Sequence, residues 1–496
     1  MVRTIVKTLG FTLVALLVLV GVLYQFFGLR FVMDGGGTPH PRFVQASQLQ
    51  AERIERHREA QRASVGSEVA PGPAVAESKA SAEPVAAAAP VPSSSGPVAR
   101  PEASPSSGPA PYWTDFRGPK RDGTYEEVPV LADWPAAGLT PLWKQPVGGG
   151  YASFVVARGR AFTIEQRGPQ EVVAAYDLAT GRELWTNSWA AEFRESMGGD
   201  GPRATPTWSD GRVYALGATG ELRALDDASG KVIWRTNILD DSHARNLDWG
   251  MAAAPLIVDN TVIVLPGGGN GQSIVGYDRL TGKRVWSALG DKQAYSSPML
   301  VTLNGVRQLL VVSATRMMGV VPGDGKVLWE YSFPTFNGIN AAQPLVIGNN
   351  RVFVSASYDA GAAMIELSGS ADRFSVREVW RNNRMKNRFS GSVLRDGVIY
   401  GLDEGILAAV DAETGELKWK GGRYGYGQVL LAGSNLIVLT EDGDLALVRA
   451  IPERHQEVTR FPVLEGKTWN VPALSGGYLL VRNLAEMAAF DLRVSK

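Results

Sequence analysis

"ALDDASGKVIW", residues 224–234, is one of five versions of the same eleven-residue phrase. The others are "AYDLATGRELW" (175–185), "GYDRLTGKRVW" (276–286), "GVVPGDGKVLW" (319–329) and "AVDAETGELKW" (409–419). Tryptophans in the terminal slot stand at 143, 185, 234, 286, 329, 380 and 419, with Phe461 in the next one. The intervals are 42, 49, 52, 43, 51, 39 and 42 residues. A period in the forties built from short strands is the signature of a β-propeller. Eight aromatic anchors predict eight blades.

One unit shows how a blade is written. "TPTW" reads as a first strand, "VYALGA" as a second, "ELRALD" as a third and "VIWRTN" as a fourth, each joined to the next by a Gly-containing turn. The Asp that closes the third strand (Asp177, Asp226) is suited to accept turn N–H groups. The Gly that follows (Gly181, Gly230) supplies a positive φ. Trp143, Trp185, Trp234, Trp286, Trp329, Trp380 and Trp419 are read as structural blade-docking residues, each large flat indole filling the gap between sheets. The small Ala or Gly that opens the phrase is expected to leave room for the neighbouring blade's indole. Two copies are degenerate: "ELSGSADRFSVREVW" has a longer turn, and "LVRAIPERHQEVTRF" ends in Phe. The chain enters with "TPLWKQPV", a fourth strand without three before it, and ends with "AAFDLR", a third strand without a fourth. The two are expected to share one blade and so close the ring, which removes exposed sheet edges.

Composition sets the surroundings. The 496 residues carry 50 Lys plus Arg against 50 Asp plus Glu, so nothing in the charge points to nucleic acid. There are no cysteines and four histidines, which excludes disulfides and Cys-ligated metal; with no histidines at ligand spacing, no metal site is assigned. Leu9 to Leu29 is 21 residues without a charge, preceded by Arg3 and Lys7. That is enough helix to span a bilayer core. The expectation is an uncleaved signal-anchor over residues 1–34, with the N-terminus in the cytoplasm and the rest on the extracytoplasmic side of the cytoplasmic membrane. Residues 35–111 read as a polar segment, including a weakly specified polar helix in "QASQLQAERIERHREAQRAS", followed by a disordered tether. Ser64 to Pro111 contains no Leu, Ile, Met, Phe, Tyr or Trp and cannot bury enough apolar surface to order itself. Flexible-chain statistics give that tether an end-to-end distance of about 40 Å. Residues 112–496, which hold all thirteen tryptophans, form the all-β propeller domain.

The pattern A-x-D-x-x-T-G-x-x-x-W resembles the tryptophan-docking repeat of the pyrroloquinoline-quinone (PQQ) propeller superfamily. Its members include quinoprotein alcohol dehydrogenases and BamB-like envelope scaffolds. "FRGPKRDG" (116–123), "RATPTW" (203–208) and "YSSPML" (295–300) are similar to a bacterial PQQ-like subgroup. The resemblance spans Tyr112 to Lys496 and speaks to fold more than to activity, because the docking motif serves enzymes and scaffolds alike.

In the quinoprotein dehydrogenases the family pattern is PQQ over a Trp floor, a Ca²⁺ held by Glu, Asn and Asp, an Asp base, and often a lid of adjacent cysteines. A carboxylate-bearing quinone needs a hard cation with oxygen ligands. Carried onto this chain, the resemblance nominates Asp248 and Asn340 for the ion, Trp249 for stacking, and Glu165 nearby; the cysteine lid is missing. Arg203, Tyr295, Arg388, Tyr426, Trp469 and Asn470 lie on loops from a fourth strand to the next first strand, which gather at one end of the channel, and are candidates for a binding face. "PGGGNGQ" (266–272) and "EDGD" (441–444) read as turns, His243 as a solvated loop residue, and "RNNRMKNR" (381–388) as a charged loop. The favoured reading is a non-catalytic, membrane-anchored scaffold or binding protein with a cell-envelope protein or polymer partner and no cofactor. The rival is a PQQ- and calcium-dependent alcohol or sugar dehydrogenase. A third reading is a polysaccharide-binding module using Tyr295, Tyr426 and Trp469 as stacking platforms.

Overall fold

The computed structural model describes residues 13–24, 29–43, 47–68, 112–370 and 373–494. Eight antiparallel sheets close a ring. Blade 2 has the strands read from sequence: Thr207–Ser209, Arg212–Leu216, Glu221–Asp226 and Val232–Asn237. Blade 1 runs from Val155 to Ala190, and blades 3 to 7 follow in order from Leu256 to Pro462. Blade 8 joins the two ends of the domain: Trp143–Pro146 pairs antiparallel with Glu486–Asp491, Trp143 opposite Ala489. Blade 5 absorbs its longer turn by lengthening two strands to ten residues each, Gly361–Ser370 against Arg373–Asn382. The second and third strands of blade 1 are buried apart from their ends. The fourth alternates outward, as Glu183–Ala190 does.

The repeated phrase locks each blade to the next. Asp177 Oδ1 accepts from Thr180 N at 2.9 Å, and Asp226, Asp278 and Asp411 do the same in their own turns. The indole N–H of Trp143 donates to Leu178 O, that of Trp185 to Asp227 O, that of Trp234 to Arg279 O and that of Trp380 to Ala412 O, all within 3.1 Å. Each acceptor directly follows the motif Asp of the next blade. The motif Gly is doubly required: at Gly282 φ is +70°, and a Cβ would stand 2.6 Å from Cδ2 of Trp234 on the preceding blade. The spacing role expected of the small residue opening the phrase falls to this Gly. The small residue instead faces its own blade's indole, Ala224 opposite Trp234 and Gly276 opposite Trp286, because third and fourth strands are cross-strand neighbours. Where the next blade lacks the full Asp-x-x-Thr-Gly turn, the dock changes. Trp329 donates to Gln308 Oε1 within its own blade, and the Trp286 N–H has no partner among the described residues. Gly282→Ala combines a left-handed backbone with overpacking. It should lower stability by about 2 kcal/mol in urea unfolding; an unchanged midpoint would deny the dock its weight.

The central channel is not open. Residues 112–126 rise into it and turn back. Trp113 O accepts from Val156 N of blade 1, and Thr114 O from Trp208 N of blade 2. Arg117 reaches Ser392 O of blade 6, and Thr124–Tyr125 pairs parallel with Gln428–Ala432 of blade 7. Arg121 is 2 % exposed and donates to Pro298 O at 2.9 Å, to Ala254 O at 3.2 Å, to Pro255 O and to Thr207 Oγ1, with Asp115 as its counter-charge.

The N-terminal segments depart from a simple tether. Among the described residues no helix is long and apolar enough to cross a membrane. The apolar helix covers residues 13–24, while 9–12 and 25–28 of the expected span lie outside the described residues, and Leu29 already opens a strand. Leu29–Met33 and Pro39–Phe43 form a hairpin. The polar helix exists as Ser47–Glu68 and packs across the outer strand of blade 8 and the second strand of blade 1, Arg160–Arg167. It docks through polar groups on one face, which is why no apolar stripe announces it. Gln50 donates to Val147 O and Leu484 O; Ile54 is buried; Arg58, 1 % exposed, bonds Gln145 Oε1 at 2.8 Å and Pro146 O at 3.0 Å and pairs with Glu183. Residues 69–111, the core of the expected tether, lie outside the described residues.

Candidate functional site

The loops from each fourth strand to the next first strand converge on a funnel of about 520 Å³. Its floor is Phe116, carried up by the channel segment. Its walls are aromatic because these loops carry one or more rings each. Tyr151 stacks on Trp469 at 5.2 Å, Trp469 meets Phe389 at 4.4 Å, Phe389 meets Tyr426 at 5.9 Å, and Trp249 meets Tyr295 edge-on at 5.8 Å. Cations lie on the ring faces, where the quadrupole attracts them. Arg203 sits over Tyr151 and Phe193, Arg388 over Tyr358 and Tyr426, and Lys467 4.1 Å from the Trp469 ring centre.

The hairpin turn Asp34–Gly37 covers the mouth. Gly35 N donates to Glu441 Oε1 at 2.7 Å, and the same carboxylate accepts from Trp469 Nε1 at 2.9 Å and Tyr426 N at 3.1 Å. Lys467 Nζ approaches Met33 O. "EDGD" is therefore a turn, as read from the sequence, and its Glu441 also organises the funnel mouth.

Of the residues nominated from sequence, Arg203, Trp249, Tyr295, Arg388 and Trp469 line the funnel, and Tyr426 packs beside it against Phe389 and Gly35. Asn470 lies behind the wall, donating to Gly150 O and Ala152 O. The proposed cofactor set does not assemble. Glu165 is fully buried and bonded to Gly148 N, Tyr176 OH and Arg167. Burial works against its charge, but Arg167, Arg482 and Arg58 hold its pKa down to about 2. Asp248 is exposed and outside the funnel lining. Asn340 is buried, with its amide nitrogen donating to Ser313 O at 2.8 Å. Among the described residues no group of three or more His, Asp or Glu is placed to share a metal ion. These residues do not fit a calcium-held quinone. Burial pushes the Tyr295 and Tyr358 hydroxyls further above their ordinary range, and burial with the neighbouring Glu404 does the same at Tyr426. Such groups stay protonated hydrogen-bond donors at neutral pH and are poorly matched to proton transfer. Phe116, Phe336, Phe389 and the Asp34–Gly37 turn were not foreseen. Nothing local marks them, since their convergence depends on ring closure.

A family model described as "Outer membrane protein assembly factor BamB" matches residues 169–421, just over half of the chain. The BamB of Bordetella pertussis is 23% identical over 312 residues, covering 60% of this chain and 72% of that one. Among solved structures, BamB from Moraxella catarrhalis superposes with a TM-score of 0.51 at 16% identity, over 73% of this chain and 99% of that chain. The quinohemoprotein alcohol dehydrogenase from Comamonas testosteroni gives 0.56 at 14% identity, over 78% and 82%. At these identities the two structures speak for the shared propeller fold alone.

Proposed function

This chain belongs to the PQQ-like repeat propeller family described by the outer membrane protein assembly factor BamB, and from that premise we propose that it is a non-catalytic scaffold of the cell envelope. Its partner is a polypeptide held at the funnel face, and the process it serves is the assembly of outer-membrane proteins, as the relatives' name states for them. The observation that carries this reading is the commitment of Glu165 to Arg167, Tyr176 and Gly148, away from the funnel, which leaves an aromatic, cation-edged surface without an assembled ion site. Such a surface, rich in Tyr, Trp and Arg, has the composition of protein-binding hot spots.

The same proposal places the chain at the cytoplasmic membrane. The apolar stretch that begins at Leu9 and ends ahead of the Leu29–Met33 strand acts as a single-pass anchor, and the propeller lies on the extracytoplasmic side. The described part of that stretch, residues 13–24, is helical and exposes Leu13, Leu16, Leu17 and Leu19.

Calorimetric titration of PQQ with Ca²⁺ into the full chain tests the scaffold reading. The expected result is no saturable heat up to about 1 mM, an association free energy no stronger than about −4 kcal/mol. Saturable binding that is lost in Trp249→Ala would replace the scaffold with the dehydrogenase.

A further inference from the structure

We propose that the funnel mouth is a binding site for a glycine-bearing β-turn of a polypeptide, and that the chain's own Asp34–Gly37 turn occupies it in cis. The proposal rests on the scaffold reading and names the chemistry that its surface recognises.

Three observations define the seat. The first is the acceptor. Glu441 is oriented by Trp469 Nε1 and Tyr426 N, and its Oε1 takes the backbone N–H of Gly35. A carboxylate held in this way recognises main chain rather than a side chain, through a charge-assisted hydrogen bond. The second is size. Gly35 is the buried residue of the turn, and a Cβ built there would overlap Cδ2, Cγ and Cβ of Tyr426, at the fixed base of that side chain. The ring is backed by Phe389 and overlain by Arg388, so it cannot step aside cheaply. The seat therefore admits glycine and rejects a residue with a side chain. The third is an acceptor still open. Gln428, 1 % exposed, lines the funnel below the turn; its amide nitrogen donates to Trp469 O, while its Oε1 finds no donor among the described residues. A buried acceptor left unmade costs free energy. A turn seated more deeply than residues 34–37 would supply the missing N–H.

The cis turn lowers the affinity of a competitor by mass action without blocking the site outright, because a tethered ligand is present at high effective concentration. A partner carrying a better-fitting turn displaces it. The hairpin is a two-stranded ribbon, which is marginal alone and easily given up.

The test uses a synthetic peptide of residues 29–43, closed by a disulfide between cysteines added at its ends, labelled and titrated into the full-length chain. The Gly35→Val chain, whose own turn is expelled, should bind the peptide at least tenfold tighter than the wild-type chain does. A peptide carrying the same Gly35→Val change should not bind. Adding Glu441→Gln to the Gly35→Val chain should weaken the wild-type peptide about tenfold, the worth of a charge-assisted hydrogen bond. No binding to the Gly35→Val chain overturns the proposal. Equal binding to both chains overturns the cis occupancy. Indifference to Glu441→Gln removes the seat from the place assigned to it. The quinone titration is independent of all three outcomes, so loss of the turn site and loss of the scaffold reading can be told apart.

Discussion

Arg121→Met should lower the free energy of unfolding by about 3–5 kcal/mol, read as the midpoint shift in urea at constant slope. Arg121 is the junction between the channel segment and the ring. Its guanidinium serves the carbonyls of Ala254, Pro255 and Pro298 and the hydroxyl of Thr207, which belong to blades 2, 3 and 4 or the connections leading into them. Methionine fills much of the volume but donates nothing, so the carbonyls of Ala254 and Pro298 lose this donor, Pro255 O keeps only Thr207 Oγ1, and Asp115 loses its counter-charge. Arg121→Lys should recover only part of the loss, since one ammonium cannot reproduce a planar fork aimed at several acceptors. The Phe116 floor depends on the same segment, so the Arg121→Met chain should also bind the cyclised hairpin peptide more weakly. A midpoint shift worth less than about 1 kcal/mol would mean that the ring stands without its plug.

The second large effect is a pH dependence. Glu171, on the third strand of blade 1, is fully buried; one oxygen accepts from Ala218 N at 2.8 Å, and the Trp189 indole is the other group that holds the carboxyl. Burial pushes its pKa up to about 7, well above the ordinary carboxylate range, against the pull of the Ala218 N–H and the Trp189 indole. The folded state thus keeps a proton that the unfolded chain releases earlier. The contribution is fully present below about pH 4.5 and is lost as pH rises through 7, amounting to about 3 kcal/mol by pH 8. Glu171→Gln should remove that slope, matching the wild type near pH 4 and exceeding it at pH 8. Parallel stability curves for the two proteins would show that Glu171 ionises normally. Glu165 works in the opposite sense, since its lowered pKa adds stability that is lost only as pH falls from about 4.5 toward 2.

The repeat was legible because it is a packing code written locally. Asp226, Gly230 and Trp234 lie within nine residues, and each has a job that residue chemistry states in advance: a turn acceptor, a positive φ, a flat face. Blade number and ring closure followed from counting, since Trp143 had no strands before it and Ala489 none after. The loop rule then brought Trp249, Tyr295, Arg203, Arg388 and Trp469 to one end of the channel without any knowledge of distances.

What the sequence determined by itself is therefore the fold, the closure and the end of the channel where the loop side chains gather, because periodic hydrophobic and turn signals repeat within reach of local rules. Only the tertiary structure decided which side chains meet. It separated Glu165 from Trp249, since the partly buried Arg167 and the buried Arg482 and Arg58 claim that carboxylate inside blade 1. It made a plug of "FRGPKRDG", whose arginines are recognisable as buried donors only once the carbonyls of other blades surround them. It laid a polar helix on the blade 8 edge and a glycine turn in the funnel mouth through hydrogen bonds to Val147, Leu484 and Glu441, partners about 100 to 430 residues away. Hydrogen-bond complementarity at that separation leaves no period in a sequence, and the closed ring is what brings the donors to their acceptors.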